Sequence, residues 1–361
     1  MSARPPSAAA LAAAGEVIRA ALSDGVATCA VAEVGTVDGV AWQTAHGRLS
    51  PADGSPAATA DTVFDLASLT KVLGTTLVAM RLEDAGRCAV TDPVARWWPA
   101  WYGPQRDDTT LADLLAHASG LAAHRRLYEH LRGAVAFADA ICRGPLESPP
   151  RSRAVYSDLG FILLGVILER AGDAPLGTQV TEALAGLTSA PLAYHPPMSW
   201  RPRTASTGFD ASRARELVGE VHDANAWAMD GVAPHAGLFG TAGAVGDVAR
   251  AILRALGGRA VDGLARPDTV RRFATRRTDV PETTRALGWD TMKTTSSCGQ
   301  FMSPTAIGHT GFTGTSLWID DARGVYAVLL TNRVAAPGGT PEAMRALRRG
   351  FHDAVMAPPV A

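Results

Sequence analysis

Lysine is almost absent from this chain: only Lys71 and Lys293 occur among its 34 lysine and arginine residues. An arginine guanidinium does not lose its proton in a protein, whereas the pKa of a lysine can be lowered until its amine acts as a base. A chain that carries arginine at nearly every basic position has kept a lysine in the stretch FDLASLTKV, residues 64–72. This indicates that the position of Lys71 needs a removable proton.

Other features that are scarce or missing exclude several classes of protein. No apolar run approaches the roughly 20 residues of a membrane-spanning helix. The formal net charge is -1 and the arginines are scattered, so no basic stripe is available for nucleic acid or for a membrane surface. No G-x-S-x-G sequence occurs, which argues against an α/β-hydrolase. We therefore expect a globular protein with a small-molecule partner, and its oligomeric state stays open.

The cysteines and the N-terminal segment bear on cellular location. The four cysteines, Cys29, Cys88, Cys142 and Cys298, show no C-x-x-C spacing, which favours buried free thiols over a disulfide or a metal site. Residues 1–25 resemble a signal peptide only superficially, because their alanine- and leucine-rich part is interrupted by charged residues. We interpret this segment as an amphipathic helix and expect a cytoplasmic protein.

Strand-like segments stand at both ends of the sequence. GVATCAVAEVG and GVAWQTAHGRLS are typical of a hairpin with its turn at Thr36 to Gly39, and HTGFTGTSLWID and GVYAVLLTN occur near the C-terminus. The middle of the chain is mostly helical in pattern, and PEAMRALRRGFHDAVM predicts a last helix. We therefore predict an α+β fold in which both ends of the chain build one antiparallel sheet. The predicted domains are a discontinuous sheet domain (1–66 and 283–361) and a mainly helical domain (67–282), with the active site in the cleft between them.

Ser68 and Lys71 stand three residues apart at the start of a helical pattern, so their side chains share one face. A serine hydroxyl is a weak nucleophile until a neighbouring base takes its proton. Near a helix N-terminus the dipole also favours the negative charge that develops on an attacked carbonyl. The pair therefore predicts a nucleophile and its base, and the alternative is a solvated lysine beside an N-terminal serine.

Three motifs occur in a fixed order along the chain. They are Ser68-Leu69-Thr70-Lys71 (S-x-x-K), Tyr156-Ser157-Asp158 (close to Y-x-N) and His309-Thr310-Gly311 (close to K-T-G). The segments LLAHASGL, YSDLGFILLGVILER and VHDANAWAMDGVAPHAGLFGTA stand between them. From about residue 15 onward, the chain resembles the serine β-lactamase-like superfamily, in its branch of class C β-lactamases, DD-peptidases and esterases. The resemblance implies a β-lactamase-like fold, with N- and C-terminal helices flanking the sheet and an inserted helical domain.

The resemblance also implies roles for individual residues. Ser68 would attack a carbonyl and become acylated, while Lys71 and Tyr156 would share the transfer of protons. Which of these two is the acylation base stays open, because an ammonium beside a tyrosine stabilises its phenolate and the proton belongs to the pair. The oxyanion hole would consist of the backbone N–H groups of Ser68 and Phe312. For Tyr156, the alternative role is that of a packed aromatic residue.

Two positions depart from the common motifs of the family. Asp158 replaces asparagine, and we expect its carboxylate to pair with Lys71, to raise the pKa of the lysine and so to favour Tyr156 as the base. His309 replaces lysine, which predicts weaker and pH-dependent recognition of a substrate carboxylate. With Asp158 and His309, the resemblance places Thr310 and Gly311 in the substrate-binding site.

Further histidines and carboxylates allow other interpretations. His222, Asp223 and His235 could be metal ligands, but H-E-x-x-H is absent and their spacing is irregular, so hydrogen bonds that order a loop are the favoured role. His117 lies where a helix pattern ends, which favours a structural role. We expect neither a metal nor a cofactor.

The sequence therefore predicts a serine hydrolase that forms an acyl-enzyme at Ser68 and acts on a small ester, amide or peptide substrate. An esterase or amidase is the first prediction, and a β-lactamase or DD-carboxypeptidase acting on cell-wall peptides is the alternative. A non-catalytic penicillin-type sensor or binding protein is an alternative of another class. Such a sensor would give one burst of acylation without turnover.

Overall fold

The computed structural model describes residues 5–358. The first four residues of the predicted N-terminal helix, and the last three residues of the predicted sheet domain, lie outside the described part. Within residues 5–358 the α-helices are α1 (Ala8–Ser23), α2 (Thr76–Asp84), α3 (Val94–Trp97), α4 (Leu111–Leu115), α5 (Ala134–Arg143), α6 (Asp158–Gly172), α7 (Leu176–Ala185), α8 (Ala224–Trp227), α9 (Ala242–Leu256), α10 (Pro267–Ala274) and α11 (Pro341–Met356).

The strands are short except in the central sheet. They are β1 (Cys29–Thr36), β2 (Gly39–Gly47), β3 (Phe64–Asp65), β4 (Leu192–Ala193), β5 (Phe209–Asp210), β6 (Arg215–Glu216), β7 (Phe239–Gly240), β8 (Asp290–Thr291), β9 (Ile307–Thr310), β10 (Ser316–Asp320) and β11 (Val325–Thr331). One π-helical segment, Lys71–Thr75, precedes α2, and three 3-10 segments, Leu127–Glu129, Met198–Arg203 and Arg333–Ala335, lie in loops.

Both ends of the chain contribute to one antiparallel sheet, in the order β2-β1-β11-β10-β9-β8. The predicted hairpin pairs Thr36 with Gly39, and β1 then pairs with β11 from the opposite end of the chain. This arrangement confirms the predicted fold class. Because the C-terminal strand β11 pairs with the N-terminal strand β1, motifs that are far apart in sequence can lie close together in the fold.

The central strands are covered on both faces, since every residue of β1 and β11 is buried. Alternate residues of a strand point to opposite faces. Ala32 and Val34 therefore share a core with α1 and α11, whereas Val31 belongs to the core that α9 helps to build. Helix α9 lies inside the predicted helical region 67–282 yet packs on the sheet, and the predicted domain boundaries stay a prediction.

Helix α6 begins at the site and runs through the helical part of the protein. Every residue from Leu159 to Leu168 is buried, so the helix is apolar on all sides. Ser157 caps it, because its Oγ accepts a hydrogen bond from the backbone N–H of Gly160 at 3.1 Å. This cap fixes Asp158 at the first position of the helix, where it faces the residues of the S-x-x-K motif.

Two smaller expectations also have an outcome in the structure. All four cysteines are buried and unpaired, as predicted. None of the helices within residues 5–358 combines the length and the hydrophobicity that are needed to cross a bilayer.

Candidate active site

Ser68 stands in a tight turn between β3 and the helical segment that follows. The preceding residue, Ala67, has φ of 47°, in the left-handed region that residues with a side chain rarely adopt. The buried carboxylate of Asp65 holds this turn, since it accepts hydrogen bonds from the backbone N–H of Ala67 at 2.8 Å and of His222 at 2.7 Å. Burial raises the pKa of Asp65 to about 6. Contacts within the turn and with the loop of His222 therefore stabilise the strained backbone conformation of Ala67.

Lys71 is fully buried, one helical turn after Ser68. Its Nζ donates hydrogen bonds to Ser68 Oγ at 3.0 Å, to Asp158 Oδ1 at 2.7 Å and to the backbone oxygen of His235 at 3.1 Å. An ammonium group has three protons and no lone pair. The three acceptors match these three protons, so the geometry is that of a protonated Lys71 with Ser68 as an acceptor.

The electrostatics of the Lys71–Asp158 pair agree with this geometry. Burial is the largest single effect and would lower the pKa of Lys71, but the Asp158 carboxylate and Tyr156 together raise the pKa above its ordinary value. Burial likewise opposes ionisation of Asp158, but Lys71 and the nearby His124 hold the pKa of that carboxyl well below its usual range. The pairing expected from the sequence is present, and Asp158 brings no net negative charge to the cleft.

Tyr156 lies above the lysine, with Lys71 Nζ 4.9 Å from the centre of its ring. Its hydroxyl is buried and makes no hydrogen bond with any group in residues 5–358. Burial raises the pKa of Tyr156, and the opposing effect of the Lys71 charge is smaller. Tyr156 is therefore a neutral phenol at rest. Because Lys71 is protonated at the same time, a proton must leave one of these two groups before either can accept the proton of Ser68.

His117 holds the segment that carries Tyr156. Its Nδ1 accepts a hydrogen bond from the backbone N–H of Ser157 at 3.0 Å, and its backbone oxygen accepts one from Val155 at 2.9 Å. Its ring also packs on Tyr156, with the ring centres 4.6 Å apart. Burial keeps the pKa of His117 well below its ordinary value, so the ring is a neutral acceptor. A structural role was predicted, but its position beside Tyr156 could not be read from a lone histidine.

The turn after β9 lies directly against the turn of Ser68. A Cβ atom at Gly311 would stand 2.6 Å from the backbone oxygen of Leu66 and 3.2 Å from the Cβ of Ala67, so only glycine fits there. Thr313 donates its hydroxyl to the backbone oxygen of Asp65 at 2.7 Å, and a second threonine of the turn bonds Leu66. These contacts bring the His309-Thr310-Gly311 motif to the nucleophile.

The two predicted oxyanion-hole donors are available. Within residues 5–358, neither the backbone N–H of Ser68 nor that of Phe312 donates a hydrogen bond to another group. The side chain of Phe312 is 60% exposed. Its ring stacks on His222 and lies 4.5 Å from the guanidinium carbon of Arg333. Free N–H groups at the nucleophile are what a developing oxyanion requires.

His309 was expected to titrate near neutral pH and to bind a substrate carboxylate, but its surroundings differ from this expectation. Its side chain is buried, and its Nδ1 donates to the backbone oxygen of Thr310 at 2.9 Å. Burial, and then the charges of Lys71 and Arg285, keep the pKa of His309 well below its ordinary value. This lowered pKa argues against pH-dependent carboxylate recognition near neutral pH, because the prediction assumed an ordinary imidazole pKa for a group that tertiary packing desolvates.

One of the two positive charges that act on His309 belongs to an arginine that sequence reasoning missed. The guanidinium carbon of Arg285 lies 5.4 Å from the centre of the Tyr156 ring, and its charge also lowers the pKa of His117. Its nearest carboxylate, Asp290, is 3.8 Å away. Among the many arginines of the chain, nothing in the sequence marks this one. Its place at the cleft is decided by the sheet.

Comparison with known proteins bears on what this site is. The sequence model of the family described as Beta-lactamase matches residues 18–350. The chain belongs to the β-lactamase family. A protein of Escherichia coli (strain K12) named "Putative D-alanyl-D-alanine carboxypeptidase" is 30% identical, over 84% of this chain and 78% of that protein.

Solved structures share the fold of this β-lactamase-family protein. EstCE1, described as a hydrolase with promiscuous acyltransferase activity, has a TM-score of 0.75 at 20% identity and covers 96% of this chain and 99% of its own. A class C beta lactamase from Rhodobacter sphaeroides has a TM-score of 0.75 at 17% identity, covering 95% and 98%. A penicillin-binding protein homolog from Caulobacter crescentus has a TM-score of 0.73 at 22% identity, covering 98% and 100%. The resemblance is confirmed, and the protein is a serine hydrolase of this family.

The second group of polar residues in this β-lactamase-family site orders a loop. His235 Nε2 lies 3.0 Å from Asp223 Oδ1, and Asp223 also caps α8 by accepting from the N–H of Ala226 at 2.7 Å. Through its backbone oxygen, His235 is an acceptor for Lys71. In the part of the chain that the structure describes, no three histidine, cysteine or acidic residues are grouped as metal ligands. His222, Asp223 and His235 thus show the hydrogen bonds of a structured loop.

A pH experiment tests the state of His309. We expect the ratio of kcat/KM for a carboxylate-bearing cephalosporin to that for a neutral p-nitrophenyl ester to change by less than about twofold between pH 6 and pH 8, because an imidazole with a lowered pKa is neutral at both. The ratio cancels the titration of groups that both substrates share. His309→Gln, which cannot titrate, is the control. A ratio that rises about tenfold toward pH 6 in the wild type but not in His309→Gln would show a titrating imidazole.

Proposed function

We propose that this β-lactamase-family hydrolase cleaves small esters or amides through an acyl-enzyme at Ser68. The observation that carries the proposal is the contact of Ser68 Oγ with Lys71 Nζ at 3.0 Å, beside the backbone N–H groups of Ser68 and Phe312, which make no hydrogen bond within residues 5–358. No metal or cofactor is required. The alternative role of a solvated lysine beside an N-terminal serine does not fit, because Lys71 is fully buried.

The reaction proceeds in two halves. Ser68 Oγ attacks the substrate carbonyl, and its proton passes to the Lys71–Tyr156 pair after one member of the pair has released its own proton to solvent. The tetrahedral oxyanion accepts hydrogen bonds from the N–H groups of Ser68 and Phe312. The pair returns the proton to the leaving alcohol or amine as its bond to carbon breaks. Water then attacks the acyl carbon of the Ser68 ester and gives a proton to the same pair. The bond between that carbon and Ser68 Oγ breaks, the pair returns the proton to Oγ, and the acid leaves.

The charges near Ser68 favour a neutral acyl group. His309 is uncharged, and Asp158 is compensated by Lys71, so neither offers a cation to a substrate carboxylate. Short esters need no such cation. We therefore expect short p-nitrophenyl esters to turn over well and β-lactams to acylate the enzyme slowly.

A DD-carboxypeptidase is the second candidate, and Arg285 favours it. A guanidinium binds a carboxylate through two parallel hydrogen bonds. Arg285 stands beside the Tyr156 ring, and its carboxylate partner in residues 5–358, Asp290, is 3.8 Å away, beyond hydrogen-bond distance. The E. coli relative named for this activity is 30% identical. A peptide ending in a free carboxylate would therefore find its cation at Arg285 rather than at His309.

A substrate screen separates the candidates. kcat/KM would be measured for a short p-nitrophenyl ester, a peptide ending in D-Ala-D-Ala and a cephalosporin, with Ser68→Ala as the blank. Arg285→Gln should lower the value for the peptide by about tenfold to a hundredfold and leave the ester unchanged. Arg271→Gln, at an exposed position of α10, is the matched control. A cephalosporin value above the ester value would favour a β-lactamase, and a single burst without turnover would favour a sensor.

Cellular location is a separate part of the proposal. We place the protein in the cytoplasm, on the interrupted apolar segment of residues 1–25. Fractionation of cells that produce the full-length protein tests this, and recovery of the mature chain outside the cytoplasmic fraction would refute it.

A further inference from the structure

One peptide unit of the turn after β9 carries both a buried acceptor and a proposed catalytic donor. The peptide bond between Gly311 and Phe312 joins the carbonyl of the first residue to the N–H of the second. Within residues 5–358 all peptide bonds are trans. In a planar trans peptide the C=O and N–H bonds point in opposite directions. Whatever holds the Gly311 oxygen therefore sets the direction of the Phe312 N–H.

The group that holds this oxygen is Arg348, on the C-terminal helix α11. Its Nη2 donates to the backbone oxygen of Gly311 at 2.6 Å and to that of Thr315 at 2.9 Å. The N–H of Gly311 also bonds the Thr315 oxygen, at 2.8 Å, and the N–H of Gly314 bonds the Gly311 oxygen at 3.1 Å. The Arg348 guanidinium thus binds both ends of the Gly311–Thr315 turn, which backbone hydrogen bonds also close.

Arg348 has no carboxylate partner within residues 5–358. It is partly buried, and its Nε is enclosed without a hydrogen-bond partner. Burial, together with the charge of Arg333, lowers the pKa of Arg348 to about 9, so the group stays charged at neutral pH. A desolvated cation is costly. Its charge-assisted bonds to two backbone oxygens are what offset that cost.

We propose that Arg348 is a positioning residue of the oxyanion hole, which fixes and polarises the Gly311–Phe312 peptide so that the Phe312 N–H faces the carbonyl attacked by Ser68. The inference rests on the proposed function of Ser68. Fixing the carbonyl on the α11 side turns the N–H away from that helix, and Gly311 lies against Leu66 and Ala67 of the nucleophile turn. A cation on the carbonyl also strengthens the N–H as a donor, because bonds on the two ends of a peptide polarise each other.

A matched control stands next to Arg348 in the chain. Arg349 Nη1 donates to the backbone oxygens of Thr294 and Ser296, both at 2.9 Å. It therefore makes the same kind of contact from the same helix, but to a loop that carries no proposed catalytic group. Arg349→Met should leave kcat unchanged.

Kinetics provide the first test. We expect Arg348→Met to lower kcat for a p-nitrophenyl ester by about tenfold to a hundredfold, with KM within about threefold, because the donor remains but is poorly aimed. Arg348→Lys, which keeps the cation, should lie between this variant and the wild type. Melting curves show whether each variant folds. If Arg348→Met does not fold, Arg348→Lys decides, and a kcat within twofold of the wild type in the folded variants would overturn the inference.

A second readout does not depend on activity. In protein labelled with 15N-phenylalanine, the Phe312 amide resonance, assigned with Phe312→Leu, should move in Arg348→Met and Arg348→Lys but not in Arg349→Met. A stationary Phe312 amide would overturn the role of Arg348 even in an active enzyme. If the Phe312 amide resonance moves in the Arg348 variants, but fluorophosphonates do not label Ser68 in the wild type, the proposed function alone would be overturned.

Discussion

Ser68→Ala should lower ester hydrolysis by roughly 10⁴-fold or more, since removing the nucleophile leaves only the binding and oxyanion contacts. In the wild type, a fluorophosphonate should add one mass increment, and peptide mapping should place it on Ser68. The hydroxyl accepts from Lys71 at 3.0 Å, in a turn held by Asp65, and this contact is the reason to expect the label on Ser68.

Two controls accompany the Ser68 variant. Ser152→Ala removes an exposed hydroxyl that bonds only the backbone oxygen of Pro149, and it should behave as the wild type. The melting temperature of Ser68→Ala should stay close to that of the wild type. Labelling on another serine, or turnover that survives Ser68→Ala, would remove Ser68 from the mechanism.

Lys71→Met should abolish activity and also destabilise the protein, by about 3 kcal/mol or more, because the Asp158 carboxylate loses the cation that compensates it. Lys71→Arg keeps a positive charge for Asp158 but cannot release a proton, so it should lose nearly as much activity as Lys71→Met. Activity would be followed as kcat/KM for a p-nitrophenyl ester, and the free energy of unfolding by denaturant titration.

The double variant Lys71→Met/Asp158→Asn separates the two effects. It removes the uncompensated carboxylate, so it should recover much of the lost stability and none of the activity. If Lys71→Arg retained most of the wild-type rate, Lys71 would be an electrostatic fixture and Tyr156 the group that moves the proton. If the double variant were no more stable than Lys71→Met, the ion pair would not be the cause of the loss.

Several features of the site follow from short-range patterns, and these could be predicted. Ser68 and Lys71 are three residues apart on a helical turn, a spacing that by itself brings two side chains together. The strand patterns at the two ends of the chain predicted a shared sheet, because each is too short to bury its faces alone. The family motifs then indicated which distant segments meet.

The state of the site, in contrast, was decided by tertiary structure. The sequence alone determined the fold class, the order of the motifs and the Ser68–Lys71 contact, since these depend on local geometry and on periodicity. Packing decided that Lys71 is protonated, that His309 is neutral, that Arg285 lies beside Tyr156, and that Arg348 contacts the turn after β9. The physical reason is that a pKa depends on burial and on charges from remote parts of the chain, and an arginine's role depends on which carbonyl or carboxylate it meets. The neighbouring residues in the sequence determine neither the pKa of a buried group nor the role of an arginine.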